Sequence, residues 1–499
     1  MAFAYCRHVL LYIMTQTSIH NRVFWISALV LSAAYLGAAC LYFKERICFA
    51  DTAHMLVKII NREGFNIEAG RYPQVLTQIP VLLAIKLKLA PAAIAAVYSV
   101  SFPLFYLSVA AIAFWFYRFR YAFHLLIFSL SGAVSLGFFH AGTETHQVIA
   151  WGILFLAWIL SYNRMGDNKY LIGFSMAGIA ITAFTLHAHP VGLFFVLFGL
   201  FVRLATGEKP FELPPLLATI MAILLTALKL ANTSEGSYDA AFLSQIPEFP
   251  QLFANIGSNW SLHYFAERLG QVYVLLPIAV IVAGIWLAIN KLYKLLILHL
   301  VFNVFFFLFT ILIYHQGDSD LMMQRAFMPF AFFSLAAAFA GGARKVQLKL
   351  NTTFSLFVTA ITLVALTGIF RYGTFMSERL SYMQQTHIKH QSSGKVFLSL
   401  NEIDQKFVPI PWSYSLETLI YSSIQTNGKD CFSIITTDYE GLVFAQPERP
   451  EVFMTNNSYG RILFEELNPR YFNLNKAVYI SPALQADTTS QVPEDEPGR

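Results

Sequence analysis

Long apolar runs separated by short polar turns dominate the chain from residue 23 to residue 370. A helix crossing a bilayer needs roughly 20 apolar residues, fewer when neighbours shield it. On that rule the pattern predicts eleven spans, at 23–43, 92–117, 121–139, 148–162, 170–186, 191–204, 213–230, 272–289, 295–314, 327–341 and 352–370. The run 76–90 carries Pro80, Lys86 and Lys88 and reads as an interfacial helix whose lysines reach water along apolar stems. Two longer polar segments interrupt the ladder. Residues 44–78 include Cys48-Phe49-Ala50-Asp51-Thr52-Ala53-His54 and an amphipathic stretch, 51–62; residues 231–271 are polar and aromatic, with Trp260 and Tyr264. After Phe370 the long apolar runs stop. Short β-like stretches at 395–400, 431–437, 441–445 and 477–480 predict a small C-terminal α/β domain over 371–486, and the acidic residues 487–499, with two prolines, read as a disordered tail. The expected fold class is an α-helical polytopic membrane protein, with residues 23–370 as its transmembrane domain and this small domain appended. No internal repeat is visible.

Composition agrees with lipid as the solvent. The chain of 499 residues is 56% hydrophobic and 13% charged, where soluble domains carry about 25% charged residues. Placement of charge says more than its sum. With residues 1–22 inside, every inner turn is basic: Arg7 and Arg22, Arg118 and Arg120, Arg164 and Lys169, Arg203 and Lys209, Lys291 and Lys294, then Arg344, Lys345 and Lys349. The opposite turns hold His140, Glu144 and His146, then His187 and His189, then His315, Asp318 and Asp320, with no Lys or Arg before Arg325. The positive-inside rule therefore predicts a cytoplasmic N-terminus in a bacterial inner membrane, with Asp51, these turns and the C-terminal domain on the extracytoplasmic side. The first apolar run lacks a cleavage site and reads as a retained span. No basic cluster suits a nucleic-acid partner. Cys6, Cys40, Cys48 and Cys431 have neither metal spacing nor a disulfide framework; a bridge between Cys48 and Cys431 stays open, because both fall outside the spans. Sequons at Asn232, Asn259 and Asn456 fall in the same outer segments, at a frequency chance supplies.

Ionisable residues near membrane depth are costly and mark functional sites. Asp51 and His54, spaced i, i+3, share a helix face. Asp51 reads as a general base, or as a carboxylate orienting an acceptor or a metal, or as a plain helix N-cap. Glu144 suits a substrate hydroxyl or a share in holding a divalent ion; His140 and His146 lie in its turn without a zinc spacing, and a polar helix cap is the other reading. His187 and His189 flank one residue before Pro190 and suit hydrogen bonds to a phosphate or hydroxyl, or capping. Arg325, in Gln324-Arg325-Ala326-Phe327-Met328-Pro329, suits bidentate phosphate binding, or an interfacial anchor. Arg71, Lys86 and Lys88 could add positive potential there. No Walker, dinucleotide, nucleophile-elbow or cysteine-metal motif is present, which disfavours a cytosolic nucleotide-using enzyme.

Phe49-Ala50-Asp51 after the first span, and Arg325 with Pro329 at a late span mouth, give residues 20–370 a pattern that resembles the GT-C superfamily. These polytopic glycosyltransferases, mannosyltransferases and aminoarabinose transferases among them, use polyprenyl-phosphate-linked sugars. Arg325–Pro329 is similar to their Arg-Tyr-x-x-Pro pattern, with Ala326 where Tyr is common. The resemblance implies a sugar moved, with inversion, to a lipid, glycan or protein acceptor among the membrane lipids. It makes Asp51 the catalytic carboxylate and Arg325 the donor-phosphate ligand. His187 and His189 would join Arg325 there, with His54, Glu144 and His140 around the substrate. The first loop lacks the Asp-Glu pair of some members, which leaves Mg or Mn dependence open and names no other cofactor. Other classes fit less well. An O-antigen-type polymerase or ligase usually places its site in a large late outer loop, and residues 315–325 make a short one. A lipid-linked-sugar transporter would carry mid-span charge; His124 and His299 lie in spans, but no Asp or Glu does. A non-catalytic assembly protein would need neither Asp51 nor Arg325.

Overall fold

The computed structural model describes residues 19–68, 70–132, 136–162, 171–207, 212–231, 240, 244–343, 348–389, 395–399, 401–436, 452–456 and 460–474. Its first half runs α1 (Ile19–Leu41), α2 (Phe43–Ile47), α3 (Ala50–Arg62), α4 (Val75–Lys86), α5 (Pro91–Trp115), α6 (Ala122–Ser131), α7 (Glu144–Ser161), α8 (Leu171–Ala188), α9 (Gly192–Ala205) and α10 (Leu213–Ala231). There follow α11 (Phe249–Ala254), α12 (Trp260–Arg268), α13 (Leu275–Ile289), α14 (Tyr293–Ile313), α15 (Asp320–Gly342) and α16 (Leu348–Lys389).

Among the described residues eight helices are long and apolar enough to cross a membrane, or nine if one bent pair counts as a single span. This is the architecture of a helical polytopic membrane protein. Each of the eleven expected runs does form a helix, but not all reach spanning length. The run 121–139 gives only α6, which stops before Gly132, and residues 136–140 turn back on themselves with Phe139 N–H donating to the Leu136 carbonyl at 2.9 Å. The run 191–204 gives the short α9. The run 272–289 breaks: 260–273 and α13 meet at 81°. Pro277 cannot donate to the carbonyl four residues back and its ring clashes there, which places the break before it.

The bundle is organised around α7 and α15, nearly all of whose residues are buried. α15 packs on α6, α7, α13 and α14, and α7 on α5, α6, α8 and α9. Outer helices instead expose apolar side chains, such as Ile223, Leu224 and Leu228 of α10. Such faces are stable only against an apolar solvent. The expected interfacial helix is α4, with Lys86 and Lys88 exposed.

The composition change at residue 371 is not an end of structure: α16 continues unbroken to Lys389. Beyond it β1 (Lys395–Leu398) pairs in parallel with β2 (Ser433–Thr436), and α17 (Tyr414–Thr426) lies between them in sequence. β3 (Val452–Asn456) and β4 (Gly460–Leu463), not anticipated from the pattern, form an antiparallel pair. The expected strands at 441–445 and 477–480, the tail 487–499 and residues 1–18 lie outside the described residues. α17 packs on α3, the helix that begins beside Asp51. Cys48 and Cys431 are not bridged: both are buried free thiols, and Cys431 Sγ lies 3.7 Å from the Tyr471 carbonyl. The Asn259 sequon is closed to glycosylation, because its buried amide donates to the Ile311 carbonyl at 3.1 Å and caps α12.

Candidate functional site

Three turns and the start of α3 meet at one end of the bundle. Phe49 is extended, Ala50 stands at φ +47°, and the chain then enters α3 with Asp51 in its first turn. Phe49 takes the N-cap position, and no side chain caps the helix there. The capping reading of Asp51 therefore fails, and its carboxylate points elsewhere: Oδ2 lies 2.9 Å from His140 Nε2 and 3.6 Å from Arg325 Nη1. Burial alone would raise the Asp51 carboxyl. The His140 ring and the Arg325 guanidinium outweigh it and hold the group below its ordinary value.

His140 is placed by a turn that Arg46 fixes. Arg46, itself buried, donates from Nε to the Phe138 carbonyl at 3.1 Å and from Nη1 to the Ser99 carbonyl at 2.8 Å. Two residues on, Gly142 N–H donates to Thr52 Oγ1 at 2.9 Å. A Cβ at Gly142 would meet Thr52 and Met55 at 3.3 Å, so a larger residue there requires those neighbours to give by a few tenths of an ångström.

Glu144 opens α7, behind a Thr143 cap that accepts from Thr145 N–H. Its carboxylate is saturated. Oε1 takes the Arg71 guanidinium and, at 3.0 Å, the Gln74 amide; Oε2 takes Arg325 Nη2 at 3.0 Å. Arg71 is 4% exposed, at the head of a 3-10 turn over Tyr72–Gln74. Arg325, on the second turn of α15, also donates from Nε to Thr145 Oγ1 at 3.3 Å. Pro329 supplies no N–H to the Arg325 carbonyl at that turn. Two carboxylates and two guanidiniums thus form one chain, Asp51–Arg325–Glu144–Arg71. Its ends differ: the Asp51 side chain is 28% exposed and the Arg71 side chain 5%.

The histidines separate. His189 joins the cluster electrostatically: burial, then Arg71 and Arg325, push its imidazole well below the usual range. Its Nδ1 accepts from Val191 N–H at 3.2 Å, in the turn before α9, which leaves Nε2 as the donor. His187 packs on the loop that carries Arg71, its ring edge-on to Tyr72 at 5.8 Å. His54 turns to another partner, Glu68 Oε1 at 3.1 Å, shared with Lys58 at 3.0 Å, and meets Trp412 edge-on. Burial would raise the Glu68 carboxyl, but His54, Lys58 and Asn66 hold it well below its ordinary value. His146 points into the bundle, its ring against Tyr106.

Of the residues singled out in the sequence, the structure brings Asp51, His140, Glu144, His189 and Arg325 together, and places His54 against Glu68 and His187 against Tyr72. Sequence reading undervalued Arg71 and missed Gln74 and Thr145. Arg71 could have been found as the cation of a short polar loop bounded by Gly70 and Pro73. Among the described residues no three His, Cys, Asp or Glu side chains are grouped as metal ligands, and the Arg71 and Arg325 guanidiniums face the two Glu144 oxygens. Comparison with protein-family models, with curated proteins and with solved structures finds no match for this chain.

Proposed function

We propose that the chain is a membrane glycosyltransferase of the GT-C kind. It moves a sugar from a polyprenyl-phosphate donor to a hydroxyl of a lipid, glycan or protein acceptor, on the extracytoplasmic face of a bacterial inner membrane. One observation carries the reading: a partly exposed carboxylate, Asp51, held between an imidazole and a guanidinium where apolar helices end. Such a site faces lipid on its flanks and water at its mouth, the two environments that a prenyl chain and a sugar require.

The chemistry follows from the charge chain. Asp51 takes the proton of the acceptor hydroxyl. The oxygen lone pair forms the new bond to the anomeric carbon, the bond from that carbon to the phosphate oxygen breaks, and its electron pair leaves with the polyprenyl phosphate; a single displacement inverts the centre. Arg325 Nη1 lies 3.6 Å from Asp51 Oδ2, longer than a charge-assisted hydrogen bond, and donates to Met322 Sδ at 3.8 Å. As the proton neutralises Asp51, that guanidinium is left to the negative charge growing on the phosphate. Glu144 keeps Arg325 and Arg71 in place and neutralised until then. It is a positioning residue in this scheme and not a ligand for the sugar. His189 Nε2 is the donor nearest in character to a neutral phosphate or hydroxyl partner. The test is transfer of labelled sugar from polyprenyl-phosphate donors by purified protein, beside Arg325→Gln. Transfer by the parent and its loss in the variant are expected; transfer undiminished by Arg325→Gln would overturn the role given to that guanidinium.

A further inference from the structure

A second ion pair lies directly behind Asp51, and its geometry is unlike that of a packing contact. Arg379, on the polar end of α16, and Glu417, on α17, are both fully buried and paired through Arg379 Nη2 and Glu417 Oε2. Between them they reach the three residues that precede Asp51. Glu417 Oε1 accepts from Ala50 N–H at 2.6 Å and from Ser413 Oγ at 2.7 Å. Arg379 Nη1 donates to the Cys48 carbonyl at 2.9 Å, its Nε to the Phe407 carbonyl at 2.9 Å, and its guanidinium lies 5.1 Å from the centre of the Phe49 ring. Ala50 is the residue at φ +47°, a left-handed conformation that a side-chain-bearing residue holds only when its surroundings impose it. On the other side of Asp51, Thr52 is held by Gly142. The carboxylate therefore sits on a backbone gripped at 48, 49, 50 and 52.

We propose that Glu417 and Arg379 are positioning residues for Asp51: the C-terminal segment supplies the acceptor that locks the Ala50 peptide in its left-handed state, and this lock sets the Asp51 carboxylate against His140 and Arg325. The inference rests on Asp51 being the reacting carboxylate, and its test needs no transfer activity. In the full chain with Cys6→Ser and Cys40→Ser, Asp51→Cys places a thiol at the site. The pH midpoint of its alkylation by iodoacetamide reports whether Arg325 and His140 still face it, because neighbouring positive charge favours the thiolate. Cys48 and Cys431 are buried and report on folding in the same samples.

With Glu417 native, the midpoint is expected below that of an ordinary thiol, about 8.5. Glu417→Ala raises it by about half a pH unit or more while Cys48 stays protected. Glu417→Gln, which keeps an oxygen for Ala50 N–H, restores most of the shift. If Glu417→Ala exposes Cys48, Ser413→Ala carries the same expectation in smaller measure, because it removes one donor to Oε1 and leaves the ion pair. A midpoint unmoved in every variant that keeps Cys48 protected overturns the proposal. In the unsubstituted Asp51 protein the transfer arm reads differently: Glu417→Ala lowers kcat by about tenfold or more with little change in the donor KM, as misplacement of a reacting group does. Absence of transfer in every protein, with the thiol midpoint still shifting, would sink the glycosyltransferase reading and leave the lock standing.

Discussion

Two ion-pair networks lie on either side of the same short backbone, and they are built to opposite ends. Arg379 and Glu417 are closed: no side-chain surface to speak of remains, and their hydrogen-bonding groups reach backbone, the Ser413 hydroxyl or each other. Asp51, Arg325, Glu144 and Arg71 are graded: the chain is saturated at Glu144 and open at Asp51, with one contact stretched to 3.6 Å. A saturated buried pair can hold a shape but has nothing left to offer a ligand. A graded one keeps a charge available at one end because the other end is fixed. The difference locates the chemistry at Asp51 and the scaffolding behind it.

The sharpest way to break the comparison is to open the closed pair. Arg379→Met leaves the Glu417 carboxylate buried without its cation and should cost about 3–5 kcal/mol of stability, while adding Glu417→Gln should recover most of it. Thermal unfolding in detergent reads both. An unchanged midpoint in the single variant would mean that the pair is not the closed structural unit described. Next in size is Glu144→Gln, which keeps the shape and removes the charge between the two arginines. Transfer should fall on the order of tenfold to a hundredfold, as expected when a positioned charge is released, with a smaller loss of stability. The reverse ranking would place Glu144 with the structural pair.

A pH profile sharpens the open end. The Asp51 carboxyl is held below its ordinary value by His140 and Arg325 against the opposing effect of burial. A depressed carboxyl contributes stability that is present above the ordinary carboxylate range and lost as pH falls through the folded value. It is also the deprotonated form that acts as base. The acid limb of kcat/KM for transfer should therefore lie below about pH 4, the ordinary aspartate value. Arg325→Gln removes one of the two groups that lower the Asp51 carboxyl, so the limb should move upward even where residual rate is low. A limb that stays in place would show that Arg325 does not bear on Asp51. The smallest effect is expected at Lys86, exposed on α4: Lys86→Ala should change stability and transfer within about 0.5 kcal/mol.

How much of this was legible in sequence depended on range. The apolar runs announced every major helix, because burial in lipid demands length and hydrophobicity from each segment separately. They did not announce the early stop of α6, or the break before Pro277, where a proline acts against an apolar background. Asp51, Glu144 and Arg325 stood out as the ionisable residues where apolar runs end. Arg71 and Gln74 did not, since the aperiodic stretch 63–74 hides which polar side chains turn inward. The partner of His54 was not legible, because helix spacing predicts a shared face and says nothing of Glu68 on the next loop. Glu417 was beyond reach: its hydrogen bond to Ala50 spans 367 positions, and no local pattern marks Ala50 as left-handed.

The central claim is that Asp51 is the base of a glycosyl transfer from a lipid phosphate. It is tested most directly by transfer of labelled sugar from a set of polyprenyl-phosphate donors, with purified parent protein beside Asp51→Asn. The account predicts transfer by the parent, and a fall on the order of 10²- to 10³-fold in kcat in the variant at unchanged unfolding temperature. Asp51→Asn that folds as the parent does and transfers sugar at the parent's rate would contradict it.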